Sequence, residues 1–262
     1  MEVHHQGHTV PIAIGRKKFT HYLWEFLMLF LAVFCGFLAE NQREHYVEAH
    51  RAKEYAKSLF KDLQNDTADI RKAAWYENKT IAMIDSLVDF ISNPGPSKKN
   101  GQLYYYMRLA SWSYNVDWSK ATLNQLINSG NLRYFSNTEL VDRISNYNTL
   151  VSVITNNDAS IDAKKTRAFA YKDRIVTAKY QQLLSSISMD DIYYGRKSAF
   201  IDSLKNTDMP VQNNVADMIN AFANATLETK TIRQFAQVKY YPRAIELATE
   251  IMDLLKKEYH MK

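Results

Sequence analysis

The chain has 262 residues, of which 46% are hydrophobic and 23% charged, and its 7 Gly and 5 Pro supply few breaks for a sheet-rich fold. The formal charge of +5 is interleaved with acids rather than gathered in a basic stripe, which argues against nucleic-acid binding. The single cysteine excludes an intramolecular disulfide and a thiolate pair for structural zinc. Composition therefore favours an all-α protein.

Residues 1–18 form a polar N-terminal tail that contains three histidines, His4, His5 and His8. These side chains could hold a transition metal, but a short polar tail with incidental metal affinity is the simpler interpretation. The sequence therefore predicts neither a metal site nor a cofactor.

A transmembrane helix is predicted over residues 19–40, because the apolar run is about as long as a helix needs to cross a hydrocarbon core, roughly 20 residues. Tyr22 and Trp24 lie where interfacial aromatics are common. A cleaved signal peptide is disfavoured because Phe37 places a bulky residue where a small one is needed. The sequence therefore predicts a retained single-pass span and a lipid bilayer as partner.

The orientation of this span depends on the charges that flank it. Arg16, Lys17 and Lys18 form a compact cluster before the span, whereas the cations after it are diluted by glutamates. The positive-inside rule then favours a cytoplasmic N-terminus. The predicted localisation is the bacterial inner membrane, with the C-terminal domain in the periplasm.

An acidic residue, Glu25, opens the span and shares one helical face with several small residues. The face comprises Glu25, Leu29, Ala32, Gly36 and Ala39. Small residues four apart allow a second helix to approach closely, so we interpret this face as an interaction seam. Two alternatives stay open for Glu25: an acid that reaches the headgroups at the helix N-terminus, or an ion-carrying group.

Two stretches resemble a family of single-span membrane proteins of unknown function from the Bacteroidota. The first is Glu25 with the later Gly36 and the polar closing residues 40–44, ENQRE, in which Glu40 and Gln42 replace residues usual in the family. The second is TLNQLINSG at residues 122–130, similar to the family's Thr-x-x-x-Leu-x-x-Ser-Gly segment. The resemblance implies a Gram-negative envelope and no established activity, cofactor or catalytic residue.

Beyond the span, residues 41–92 are predicted to continue as a helical stalk, because apolar residues recur at three-four spacing without Pro or Gly. Asp66 and Glu77 interrupt this apolar stripe, and a kink is predicted near 65–67. The stripe is typical of packing against the protein's own helices, with a self-associating coiled coil as the alternative. A loop at 93–101, rich in Pro and Gly, ends the stalk.

Residues 102–262 are predicted to form an extramembrane helical bundle. Gly130 is expected to end a helix in the left-handed conformation, and Ser136 with Glu139 to form a capping box for a helix that runs from about Thr138 toward Ile187. Pro242 is expected to open the C-terminal helix. An aromatic-rich stretch is predicted to expose a partner surface made of Tyr104, Tyr105, Tyr106, Trp112 and Trp118.

The sequence contains no catalytic signature of the familiar kinds. It lacks a phosphate-binding glycine loop, a Gly-x-Ser-x-Gly elbow and a His-Glu-x-x-His pair. The acidic pair Asp190 and Asp191 is typical of a helix cap rather than a metal site. We therefore expect a non-enzyme.

Two functions remain open at this point. The first is a membrane-anchored scaffold or subunit of an inner-membrane complex, a homo-oligomer or the partner of another membrane protein through the seam. The second is a periplasmic sensor or ligand-binding module whose aromatic-rich region forms a pocket.

Overall fold

The computed structural model describes residues 19–93 and 95–261. Within those residues every regular element is helical, which confirms the all-α fold class. The chain divides into two units, Met1–Arg51 and Ala52–Lys262. The tail histidines and the Arg16, Lys17 and Lys18 cluster lie outside the described residues.

The first helix, α1, spans Phe19–Ser92. In the first unit its residues are exposed from Phe19 to Tyr46, and the mean hydropathy of an 18-residue window reaches 2.0. This is the one helix in the described part of the chain that is long and apolar enough to cross a membrane. Apolar side chains of the kind that folded soluble domains usually bury are here left uncovered.

The second unit consists of the remainder of α1 and the helices that follow it. They are α2 (Asn100–Ala110), α3 (Lys120–Asn128), a 3-10 turn (Asn131–Tyr134), α4 (Thr138–Lys172), α5 (Ala178–Ser185), α6 (Met189–Tyr193), α7 (Ser198–Lys205), α8 (Ala216–Phe235), a π-helical turn (Ala236–Tyr240) and α9 (Tyr241–Tyr259).

Two of the predicted helix-boundary residues are confirmed, and the predicted N-cap of α4 is displaced by one residue. Gly130 has φ of 66°, the left-handed conformation expected of it, and Pro242 lies in the first turn of α9. The predicted capping box of Ser136 and Glu139 is wrong. Asn137 caps α4 instead, and its side-chain oxygen accepts the Leu140 amide at 3.2 Å.

The helix predicted to run from about Thr138 toward Ile187 ends at Lys172. The Lys172 carbonyl accepts the amides of Ile175 and Val176, which closes the chain into a turn. The next amide, that of Thr177, is bound by the Tyr104 hydroxyl of α2 at 2.8 Å. A tertiary contact thus stabilises a helix end that no local Gly or Pro marks.

The apolar interior forms two clusters. The first joins residues 52–73 of α1 to α3, the first half of α4 and α9. The second joins residues 76–87 of α1 to α2, the end of α4 and the helices from α5 to α8. The predicted stalk stripe therefore packs against the protein's own helices, one of the two alternatives the sequence left open.

No new helix begins near 65–67, where the sequence predicts a kink, because α1 is helical throughout this region. Asp66 and Thr67 are buried rather than exposed at a helix start. The Thr67 hydroxyl donates to the Leu63 carbonyl at 2.7 Å, a bond that a threonine in a helix interior can make without breaking the helix. The polar residues in the stripe therefore belong to the core.

The C-terminal helices run antiparallel to the part of α1 that belongs to the second unit. Lys230 pairs with Asp85, the Gln237 amide donates to the Ala74 carbonyl at 2.7 Å, and the Lys256 ammonium lies 5.3 Å from the centre of the Phe60 ring. Residues later in the chain therefore contact residues earlier in α1.

One glycine marks a close approach between helices. Gly101, in the first turn of α2, donates its amide to the Thr207 carbonyl at 2.9 Å. A Cβ at this position would lie 2.0 Å from the Leu204 carbonyl oxygen and 2.6 Å from that of Thr207. Only a residue without a side chain fits here.

Candidate functional sites

The predicted seam residues all lie on the exposed surface of α1. Glu25, Leu29, Ala32, Gly36 and Ala39 are solvent-exposed in the single chain. A Cβ built on Gly36 would meet no atom within 4 Å. The seam is therefore a shallow helical face with room for another helix backbone.

The acid that opens the span has a partner that sequence reasoning did not identify. The His21 Nε2 atom lies 3.0 Å from the Glu25 Oε1 atom, one helical turn away. This contact satisfies Glu25 within its own helix, as i, i+4 neighbours on one face allow.

The face opposite the seam carries a ladder of phenylalanines. The Phe26 and Phe30 ring centres are 6.3 Å apart, and those of Phe30 and Phe34 are 5.8 Å apart. These rings supply large apolar area with no polar atom, which suits contact with lipid.

The predicted aromatic surface is wrong for two of its five residues. Tyr104 is 1% exposed and Tyr105 lies beside it in the second core. The Tyr104 hydroxyl donates to the Pro210 carbonyl at 2.8 Å. The second core covers the face of α2 that carries Tyr104 and also the face that carries Tyr105, so both side chains are buried.

The other three aromatic residues are half-buried and lie apart from one another. Tyr106 packs edge-to-face on Phe90. Trp112 lies under the guanidinium of Arg108, and Trp118 packs on Tyr147 in the first core. The structure thus does not bring the five residues together into one pocket.

An apolar concavity of about 820 Å³ lies beside the π-helical turn. Val238, which is 82% exposed, and Phe235 lie on its wall, and none of the five predicted aromatic residues lines it. Single π-turns inside α-helices frequently occur at functional sites. The concavity is lined by Leu150, Phe235, Val238, Lys239, Tyr240, Pro242, Arg243 and Glu246.

A buried ion pair occupies the region where the two cores meet. The Arg233 side chain of α8 is fully buried and pairs with Glu77 of α1. The same guanidinium donates to the Trp112 carbonyl at 2.7 Å and to the Thr229 hydroxyl at 3.2 Å. Charge-assisted bonds of this kind offset part of the desolvation cost of both ions.

A second carboxylate, Asp158 of α4, belongs to the same cluster. Its pKa is raised to about 7, chiefly by burial and then by the charge of Glu77, while a hydrogen bond from the Val116 backbone and the charge of Arg233 oppose the shift. Two carboxylates thus share one buried cation, and Asp158 titrates near neutral pH.

The segment between α2 and α3, residues 111–119, is bound by carboxylates of α1. Asp69 accepts from the Tyr114 hydroxyl at 2.6 Å and from the Asp117 amide at 2.7 Å. Asp66 accepts from the Ser119 amide at 2.7 Å. Without regular secondary structure of its own, this segment obtains its hydrogen bonds from side chains of the neighbouring helix.

Sequence reasoning missed the role of Glu77 and Asp66, although their signal was present. Both acids interrupt an apolar stripe at positions that face the core. An acid at such a position implies a buried partner, but the sequence alone does not identify Arg233 or the 111–119 segment as that partner.

Within the described residues, no three His, Cys, Asp or Glu side chains converge in a way that could hold a metal ion. Asp191 forms a capping box with Ser188 at the start of α6, as the sequence indicated, and also binds Lys197 at 3.0 Å. The structure thus gives this acid a structural role.

Comparison of the chain with protein-family models, with curated proteins and with solved structures gave no match.

Proposed function

We propose that the protein is a membrane-anchored helical scaffold or a subunit of an inner-membrane complex that associates through its transmembrane helix. The carrying observation is the exposed apolar segment of α1, which reaches a mean hydropathy of 2.0 with none of that segment buried. A bilayer and a second helix are the partners that such a surface suits.

The two faces of the segment suit different partners, one a second helix and the other lipid. Ala32 and Gly36 are four residues apart, and nothing approaches a Cβ on Gly36 within 4 Å. The Phe26, Phe30 and Phe34 ladder lies on the opposite face. Small residues favour close helix packing, whereas a ring ladder favours lipid. The partner is a second copy of the chain or another membrane protein.

The orientation is supported by the Arg16, Lys17 and Lys18 cluster, and the Gram-negative envelope by the resemblance to the Bacteroidota family. Together they favour a cytoplasmic N-terminus and a periplasmic location for the second unit. We propose no enzymatic activity and no nucleic-acid partner.

The seam is tested by adding bulk to it. Gly36→Leu inserts a side chain where two backbones would meet and is expected to weaken association by about 1–3 kcal/mol. Size-exclusion chromatography with light scattering in one detergent measures the effect. Leu38→Phe, which adds volume on the opposite face, serves as the matched control and is expected to leave the particle mass unchanged.

If Gly36→Leu and Leu38→Phe give particles of equal mass, the result would contradict association through the seam. Such a result would leave α1 a plain anchor, and Glu25 would then serve only as an acid near the headgroups.

The topology is tested with reporters fused after Lys262. An alkaline phosphatase fusion is expected to be active, and a fluorescent reporter that folds only in the cytoplasm is expected to be dark. Changing Arg16, Lys17 and Lys18 to Gln should raise the fraction of inverted chains, because the cationic cluster sets the orientation. The matched control changes Arg43, Arg51 and Lys53 to Gln and should not do so. A fluorescent wild-type fusion with inactive phosphatase would overturn the orientation.

A periplasmic ligand-binding module is the second candidate. The apolar concavity beside the π-helical turn favours it, since ligand pockets are concave and mostly apolar. Cross-links confined to the span would support the scaffold, whereas a ligand found in the concavity of one subunit would support the module.

A further inference from the structure

Two cations, Arg108 and Lys172, lie partly or largely buried without a carboxylate partner. Lys172 is only 7% exposed, and among the described residues neither side chain forms an ion pair with an Asp or Glu. Lysine and arginine are rarely buried unless they are paired. This arrangement therefore requires a physical explanation.

The geometry of Arg108 leaves a donor unused. One terminal nitrogen donates to the Ile187 carbonyl at a long 3.5 Å, and the guanidinium lies 5.3 Å from the centre of the Trp112 ring. Its Nε atom is buried and has no hydrogen-bond partner. An unsatisfied buried donor costs free energy that a bound acceptor would recover.

Lys172 has a similar environment. Its ammonium lies 4.6 Å from the centre of the Phe169 ring, and that ring is 38% exposed. Burial lowers the pKa of Lys172, the charge of Arg108 lowers it further, and Asp173, which is itself exposed, opposes both. Burial and the charge of Arg108 therefore act on Lys172 in the same direction.

The packing of α2 brings the two positions together. Tyr104 and Arg108 are one turn apart on α2 and share a face. The Tyr104 hydroxyl accepts the Thr177 amide at 2.8 Å, in the turn that follows Lys172. The nearby Lys165 does not resemble these two cations, because Asp162 lies 2.9 Å from its ammonium.

Each cation also lies in the last turn of its helix, where the helix dipole favours positive charge. The dipole accounts for the sign of both charges. It does not account for the unused Nε donor or for two like charges placed together, which a shared anion would explain.

We propose that Arg108 and Lys172 form a binding site for a phosphate group. A phosphate dianion neutralises both charges, and its oxygens accept from the Arg108 Nε and from the ammonium together. The source is either a free phosphate compound or a lipid headgroup. This site is independent of the seam in α1 and of the proposed scaffold function.

The test measures thermal unfolding of the full chain in detergent by tryptophan fluorescence, with potassium phosphate titrated at constant ionic strength against potassium chloride. A saturable rise in Tm is expected for the wild type. Lys172→Met and Arg108→Met should each abolish the rise. Without phosphate, Lys172→Met should unfold no earlier than the wild type, because it removes an unpaired buried charge.

Lys230→Met is the matched control, since Lys230 is also a partly buried lysine but pairs with Asp85. It should lower Tm and keep the phosphate-dependent rise. A rise that persists in Lys172→Met and Arg108→Met, or that does not saturate, would overturn the site. Should either variant fail to fold, calorimetric titration of the wild type with phosphate decides, and no saturable heat would equally overturn it.

A second arm identifies the source. The wild type and Lys172→Met are compared in nanodiscs of phosphatidylcholine alone or with added phosphatidylglycerol. A rise in Tm that needs the anionic lipid and Lys172 assigns the phosphate to a headgroup, and a rise with free phosphate assigns it to a soluble compound. No Lys172-dependent rise in either arm would refute the proposal.

Discussion

Asp158 links the charge state of the core to pH. Its carboxyl lies with Glu77 and Arg233 between α1, α4 and α8, and its pKa is raised to about 7, chiefly by burial. The unfolded value is about 3.9. Because the folded pKa is the higher one, the stability that this group contributes is fully present below about pH 4 and is lost as the pH rises through 7.

Asp158→Asn is therefore expected to be more stable than the wild type by about 1–2 kcal/mol at pH 5 and by a few kcal/mol at pH 8. The amide keeps an acceptor for the Val116 backbone and cannot ionise. Urea denaturation at the two pH values measures the difference.

Asp162→Asn, one helical turn away, is the control for this effect. Burial raises the pKa of Asp162, but hydrogen bonds from Asn115 and Lys165 outweigh it and the net shift is downward. This substitution should cost stability by a similar amount at pH 5 and pH 8. A gain from Asp158→Asn that is equal at both pH values would show that its carboxyl does not titrate between them.

The close packing of α2 against the end of α7 depends on Gly101. Gly101→Ala would force the Leu204 and Thr207 carbonyls away from their present positions and should destabilise the second unit by about 1–3 kcal/mol. Gly95→Ala, where a Cβ would meet nothing within 4 Å, is the control and should be nearly neutral. Thermal unfolding of both variants measures the difference, and equal Tm values would contradict the close approach.

Helix ends were predictable where a local rule sets them. Gly130 and Pro242 act through their own backbone preferences, so their positions followed from the sequence. The end of α4 at Lys172 did not, because the stabilising bond to the Thr177 amide comes from Tyr104, in another helix. The long apolar segment of α1 was predictable for the opposite reason, because its apolar composition is a local property that needs no partner elsewhere in the chain.

The candidate sites were predictable to a smaller extent. Spacing placed the seam residues on one face, and all of them are exposed. Spacing could not show that Tyr104 and Tyr105 are buried, since a triplet of tyrosines presents rings in several directions and packing decides which are covered. Local sequence patterns cannot predict contacts between residues far apart in the chain. Two examples are the Arg108 and Lys172 site and the Glu77 and Arg233 pair.

At the scale of the molecule, the two cores of the second unit share the helices α1 and α4. Leu126 of α3 is fully buried in the first core, and Leu126→Ala should cost about 2–5 kcal/mol. Because α1 and α4 are continuous through both cores, the loss should also lower the hydrogen-exchange protection of α8, in the second core.

Exchange measured by mass spectrometry checks this coupling, with amides of α3 and α8 as the two reporters. Thr149→Ala, an exposed substitution on α4, is the control and should leave both unchanged. Faster exchange confined to α3 and its neighbours would mean that the two cores open separately.

The antiparallel course of the last helices also sets the order in which the protein folds. Glu77 and Arg233 are separated by 156 residues, and the contact between Phe60 and Lys256 spans still more of the chain. During synthesis α1 therefore emerges well before α8 and α9, and the part of its core-facing stripe that these two helices cover stays exposed until they have been made. Long-range closure of this kind slows folding and exposes apolar surface in the meantime.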